Sequence, residues 1–336
     1  MARVTQKTIA AKLGLSPSLV SRALSGKAEE IGCTPETTAR IVAAARALGY
    51  VPSAAARQLR GRGGPVIGVM VSDMGDPFFA QVMTEVIRQA HARGYALAVA
   101  GFNRRMIDQR DLTVLLEQDL AGLLMIGGGS DAGLAPVQRR KLPAVRIGSI
   151  LLDVSFAQVG PDEAGGFRKL MHHLSTLGHK RLGFVGADQP VHRERLRLAQ
   201  GIARSHGMTC NKHHAVYGPA EVLKAGLEGG RRLLDQTGAD LPSAVVCSSD
   251  AVAMGVMGVL TSYGLRIPRD ISVTGFDDLL LSQLASPPLT TLHQPVPEMT
   301  AWALDALFNG GSANRVKRLP LGLMARGSTS PRSDAT

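Results

Sequence analysis

Apolar positions along this chain follow two regimes. Over residues 4–48 they recur at helical spacing. Ala10, Leu13, Leu15, Val20 and Leu24 lie so that two short helices can interlock, one over 4–13 and one opened by Ser16-Pro17, with a turn at Gly14. A third helix opens at Thr34-Pro35 and runs to about Leu48, with Ile41, Val42, Ala45 and Leu48 on one face, and Gly49 stops it. From Val66 onward, strand-length apolar runs alternate with amphipathic stretches. The first series predicts strands at 66–71, 95–100, 122–126 and 144–148, with helices over 77–93, 110–118 and 135–140. The second predicts helices over 162–177, 195–206, 222–236 and 250–263, with strands at 181–185, 244–247 and 271–275. Strands that are apolar throughout are buried on both faces. The alternation therefore predicts parallel, doubly wound α/β sheets in two lobes, with a ligand cleft at the carboxyl ends of the strands.

The first two helices have the form of a helix-turn-helix, whose second helix enters the major groove of DNA. Ser16 is a good N-cap and Pro17 suits the first helical position, although Leu19 stands where a Glu or Gln would complete a capping box. Pro17, Ser18 and Arg22 are placed to meet base edges. Arg22 can pair with guanine through two hydrogen bonds, Ser18 is permissive, and Pro17 offers apolar contact. Thr5, Ser16, Ser21 and Lys27 are candidate phosphate contacts, which set register rather than sequence preference.

Charge sharpens this picture. The chain carries a net charge of +11, and residues 1–62 alone hold ten Lys or Arg against three Glu. Such a local excess is the electrostatic footprint of phosphate binding. With 45% hydrophobic and 19% charged residues, the 336-residue chain is globular, with room for two or three domains. Three widely spaced cysteines suggest neither a disulfide framework nor a zinc site and point to a reducing cytoplasm. No apolar run approaches the ~18 residues of a membrane span, and the first residues lack the apolar stretch of a signal peptide, so no membrane partner is expected.

The phrase LVSRALSG, followed by TPETTARIVAAARALGYVPSAAARQLRG, resembles the lactose-repressor family of bacterial transcription regulators. Landmarks through the rest of the chain extend the resemblance: IGVMVSDMGDPFF at 67–79, LSTLGHKRLGFVG at 174–186, CSSDAVAMG at 247–255, GLRIPRDISVTGFDD at 264–278, SPPLTTLHQP at 286–295 and ARGST at 325–329. The resemblance implies a helix-turn-helix domain over 1–52, a hinge helix over 53–62 and a periplasmic-binding-protein-like core over 63–336. Within that core, lobe 1 would take about 66–161 and 292–320, and lobe 2 about 162–291 and 321–330. The family's hinge helix orders on operator DNA and wedges a leucine into the minor groove; the matching residues are Ala56 and Leu59, with Arg57 near the backbone. A helix that short is marginal alone, which agrees with ordering on a partner. Family effector contacts fall on Asp73, Phe78, Phe79, Ser249, Asp250, Asp277 and one arginine of RERLRLAQG, either Arg195 or Arg197. Phe78 is expected to stack on a ligand and Phe79 to be core. Gly148 replaces a usual acceptor while Arg146 stays nearby, and Ser249 stands where Asn is usual. That combination suits an anionic ligand such as a sugar acid or sugar phosphate.

Other signals carry less. Gly127, Gly129 and Gly133 with Asp153 imitate a dinucleotide fingerprint, but Pro136 and the Arg139-Arg140-Lys141 run crowd the supposed helix. There is no phosphate-binding Walker loop and no nucleophile elbow, and the His172-His173 and His213-His214 pairs lack the spacing that converges on a metal. No catalytic residue, metal or cofactor is expected. The resemblance implies a cytoplasmic repressor, and the expected partners are double-stranded operator DNA, a small-molecule effector and a second copy pairing through lobe 1 around 78–89. The tail after ARGST has no heptads for a tetramerising coiled coil. A transport-system binding protein would need an export signal in place of residues 1–62. An enzyme on this scaffold would need a nucleophile–base or metal constellation.

Overall fold

A computed structural model describes residues 4–25, 28, 32–50, 65–101, 109–128, 134–149, 156–238, 240–308 and 315–332. The chain forms two compact units, Met1–Gly64 and Pro65–Thr336.

The first unit holds helices α1 (Gln6–Leu13), α2 (Pro17–Leu24) and α3 (Pro35–Ala47). Each begins on a hydroxyl cap. Thr5 and Thr8 satisfy each other's backbone N–H groups, a reciprocal box made without the usual Glu or Gln. The Ser16 hydroxyl accepts from Leu19 N–H at 3.1 Å, and that of Thr34 accepts from Thr37 N–H at 3.2 Å. Gly14 closes α1 with φ +66°, a left-handed turn that redirects the chain into α2. Ile9, Ala10, Val20, Ala23, Ile41 and Ala45 form the buried centre, with Leu13, Leu15, Leu24 and Leu48 partly buried around it. Val42 falls outside that cluster, and Tyr50 packs on it instead.

The second unit carries two six-stranded sheets. The first is built from β1 (Val66–Val71), β2 (Ala96–Gly101), β3 (Leu120–Ile126), β4 (Ala144–Ile147), β5 (Ala157–Asp162) and β11 (Val316–Pro320), in the order β11-β5-β4-β3-β1-β2, all parallel. The second is built from β6 (Leu182–Ala187), β7 (Ala215–Gly218), β8 (Ala244–Cys247), β9 (Ser272–Asp277), β10 (Thr290–His293) and β12 (Gly322–Met324), in the order β12-β10-β9-β8-β6-β7. Its edge strand β12 pairs antiparallel with β10, a departure from the all-parallel expectation. Helices α4 (Pro77–Ala92), α5 (Gln109–Leu116), α6 (Ala135–Arg139) and α12 (Val296–Phe308) cover the first sheet. Helices α7 (Glu163–Thr176), α8 (Pro190–Ser205), α9 (Val222–Thr237) and α10 (Asp250–Ser262) cover the second, and the short α11 (Leu280–Leu284) follows β9.

The chain passes between the sheets three times, after Asp162, after His293 and after Pro320. Leu279, which follows the second sheet's β9, packs into the core of the first. Helices α9 and α10 approach backbone to backbone. A Cβ on Gly255 would lie 2.7 Å from atoms of Gly226 and Leu227, and one on Gly226 would collide with the Val252 carbonyl.

Candidate functional site

In the first unit, α2 buries Val20 and Ala23 and turns the opposite side outward. Ser16, Pro17, Ser18 and Arg22 are exposed and Ser21 is half-buried. The Arg22 guanidinium has no protein partner among the described residues. A small, polar face with one uncommitted arginine can enter a groove and read an edge. Thr5 is exposed, but its hydroxyl is engaged with Thr8, so its first role is to cap α1. Lys27, Ala56, Arg57 and Leu59, with the hinge over 53–62, lie outside the described residues.

In the second unit, a buried polar network gathers at the strand ends. Asp73 follows β1, is 3% exposed and accepts from Gly75 N–H. Arg146, also 3% exposed, donates from Nε to the Gly127 carbonyl at 2.6 Å and from Nη1 to the Ser149 carbonyl. The Ser149 hydroxyl donates to Glu163 Oε1 at 2.9 Å, and the same oxygen accepts from Arg195 Nε and Nη2 at 3.1 and 2.9 Å. Arg195 Nη1 donates to the Ser248 carbonyl at 2.6 Å, and its guanidinium lies 3.7 Å from the centre of the Phe276 ring.

Asp277 ends β9 with φ +126°, a strained conformation for a residue with a side chain. Its carboxylate accepts from Gln294 Nε2 at 2.7 Å, at the second passage between sheets. Burial pushes the Asp277 carboxyl well above the ordinary range, opposed by the nearby Arg195 charge and reinforced by Asp250 and Asp76. Asp76 caps α4 of the first sheet, so carboxylates of both lobes meet here. His192 is buried, and its Nδ1 accepts from Ala187 N–H at 3.2 Å and lies 2.5 Å from the Ser248 hydroxyl. Burial, with Arg195 adding to it, pushes its pKa down to about 3, so the ring is neutral and carries its proton on Nε2.

The expected residues divide accordingly. Arg146 and Arg195 are joined through Ser149 and Glu163, Asp277 lies within reach of the Arg195 charge, and Asp73 is buried at the end of β1 with its carboxylate engaged by Gly75 N–H. Arg197, the alternative to Arg195, is 71% exposed and paired with Glu194, because helix α8 turns positions two apart to different faces. Ser249 is buried and caps α10 through Val252 N–H. Asp250 does not offer its carboxylate to a ligand: one oxygen accepts from Leu279 N–H at 2.8 Å and the other from the Thr291 hydroxyl at 2.5 Å. Burial raises its pKa to about 6, opposed by those two bonds. Both phenylalanines pack into the first core, as expected for Phe79 but not for Phe78. Phe78 is buried in the first core, while Phe79 is half-buried beside Gly127 at the end of β3. Arg146 is turned to two backbone carbonyls, which engage two of its three nitrogens.

Ser149, Glu163, His192 and Gln294 were missed. Glu163 falls inside the helix expected over 162–177, at the expected lobe boundary, but nothing in the pattern marks its side chain as the one that meets Arg195. One of them, His192, sits at a boundary the apolar pattern blurred. Helix α8 starts at Pro190 rather than Arg195, which left His192 outside it. The Pro190 start, suited to a first helical position, was the available signal.

Among the described residues, no helix is long and apolar enough to cross a membrane. A profile of the periplasmic binding protein-like domain matches residues 171–329. The chain is similar to the ribose operon repressor of Haemophilus influenzae, 31% identical over 314 residues that cover 90% of this chain and 91% of that protein. Among solved structures, the transcriptional regulator CelR in complex with cellobiose matches with a TM-score of 0.69 and 27% identity, covering 97% of this chain and 100% of that one. The lac repressor dimer bound to operator and the anti-inducer ONPF matches with a TM-score of 0.80 at 24% identity, covering 98% and 100%, a likeness of fold.

Proposed function

Because this chain belongs to the lactose-repressor family of bacterial transcription regulators, we propose that it represses transcription as a symmetric cytoplasmic dimer on a near-palindromic operator, controlled by a sugar or sugar-derived effector between its two lobes. The chain is a ligand-controlled DNA-binding repressor and not an enzyme. Residues 1–52 read DNA, 53–62 form the hinge, and 63–336 sense the effector. Arg22 and Ser18 read bases in the major groove; Ser16, Ser21 and Lys27 hold phosphates; and Leu59, with Ala56 and Arg57, enters the minor groove.

The observation that supports the effector reading is the buried chain of contacts Arg146–Ser149–Glu163–Arg195 at the first passage, with the Asp277–Gln294 pair at the second lying close enough for its carboxyl to feel the Arg195 charge. A repressor in which polar groups of both lobes converge has the means to sense a hydroxylated ligand, because hydroxyls satisfy carboxylates and arginines together. The names of relatives lend support: one represses a ribose operon and another is a complex with cellobiose. Ligand binding alters how the lobes lie and, through the dimer, how the hinge is presented to DNA. The second copy pairs through lobe 1 around 78–89. Leu280, Leu281 and Leu284 on α11, exposed by 58–72%, add an apolar surface in lobe 2.

Operator selection from random duplexes, with and without pools of neutral sugars, sugar acids and nucleobases, tests this. A palindrome enriched by the protein alone and lost with one pool is the expected result. No enriched sequence under any condition would refute operator reading, and a palindrome recovered only with a pool would make the effector a corepressor.

A further inference from the structure

We propose that Glu163 is a specificity-determining residue of the cleft: as a built-in carboxylate it occupies the guanidinium fork of Arg195 that an acidic ligand would need, and so restricts the effector to uncharged molecules. The proposal rests on reading the cleft as the effector site. Glu163 opens α7 directly after the first passage between sheets. Asp162 caps that helix by accepting from Gly165 N–H at 3.0 Å, which leaves the Glu163 side chain to turn inward. The Arg195 and Glu163 side chains are 7% and 11% exposed. All three Arg195 nitrogens donate, two to Glu163 and one to the Ser248 carbonyl, and Phe276 covers one face of the guanidinium.

The cleft's other cation, Arg146, donates to the carbonyls of Gly127 and Ser149. The remaining carboxyls at the site are Asp73 and Asp277, each 3% exposed, and burial favours the neutral form of Asp277. An entering carboxylate or phosphate would therefore meet two cations whose donors are engaged, beside the Glu163 carboxylate at low dielectric, where like charges repel strongly. A hydroxyl meets the opposite situation. Glu163 gathers its three donors on Oε1, and Oε2 has no hydrogen-bond partner among the described residues, so it stands ready to accept from a ligand O–H. Ser149 follows β4 of the first sheet and Arg195 lies on α8 of the second, so Glu163 also holds the two lobes to one another at the point where a ligand is judged.

The test uses the full chain and two anionic probes, inorganic phosphate and D-galacturonate, followed by thermal shift and calorimetry. Wild type is expected to show no saturable binding of either probe. Glu163→Gln, which keeps the size and an acceptor but removes the counter-charge, is expected to bind at least one of them at least tenfold more tightly than wild type. Adding Arg195→Gln to that variant is expected to abolish the gain. A folded Glu163→Gln protein that gains no anion binding would overturn the proposal. So would wild-type binding of either probe that Arg195→Gln removes, and this arm decides the matter even where Glu163→Gln does not fold. Failure of the effector reading itself would look different, as operator affinity that no ligand pool alters.

Discussion

Asp250 and Asp277 are both buried carboxyls near strand ends, yet their partners divide their roles. Asp250 spends both oxygens on Leu279 N–H and Thr291, tying α10 to the segment after β9. Asn in its place can accept only one of those bonds, so Asp250→Asn is expected to cost about 1–3 kcal/mol in denaturant unfolding. Asp277 takes one bond from Gln294, is held at φ +126°, and faces charges from both lobes. His192 adds a pH dependence. Its folded pKa, about 3, lies below the ordinary 6.5, so the unfolded chain binds a proton more readily over that interval. Acidification from 6.5 toward 3 therefore favours unfolding at this site, and stability returns as pH rises. His179, pushed down to about 4 by burial, acts in the same sense. His192→Gln is expected to flatten the decline of Tm with falling pH relative to wild type. Parallel Tm–pH curves for the two proteins would show that the ring is not buried neutral.

At the scale of elements, α2 and the α9–α10 pair make separable claims. Arg22→Ala is expected to cost about 1–3 kcal/mol of operator affinity and relax preference at one base position, because a base-edge contact carries sequence information and a phosphate contact does not. Electrophoretic titration against single-base operator variants checks this; uniform weakening across all variants would assign Arg22 to the backbone. Gly226→Ala places a methyl against the Val252 carbonyl. A loss of about 1–3 kcal/mol is expected in denaturant unfolding, from forcing two packed helices apart. Elements with strong periodicity were legible in the sequence. Strands β1 and β8 and the third helix of the DNA reader fall where apolar runs and caps place them. The edge strands β11 and β12 are short and exposed, and β5 contains Gly160 and Pro161, so none carries an apolar run to betray it. The site was legible as residue types at strand ends. Which arginine turned inward depended on the true start of α8, and the roles of Phe78 and Phe79 depended on packing that spacing does not encode.

The whole molecule carries a DNA reader in one unit and a buried polar network in the other, and linkage requires the coupling of operator and effector to be reciprocal. A ligand that shifts operator affinity tenfold must have its own affinity shifted tenfold by the operator, equivalent to about 1.4 kcal/mol of coupling. Asp277 is the residue to break that link without touching the DNA reader, since it lies in the sensing unit at the end of β9. The most direct measurement is therefore the affinity of the full chain for its selected operator, titrated with neutral sugars, for wild type and Asp277→Asn in parallel. At least one sugar is expected to change wild-type operator affinity tenfold or more, while Asp277→Asn binds operator normally without ligand and loses most of the response. Operator affinity indifferent to every sugar, or an Asp277→Asn protein that responds as wild type does, would contradict this expectation.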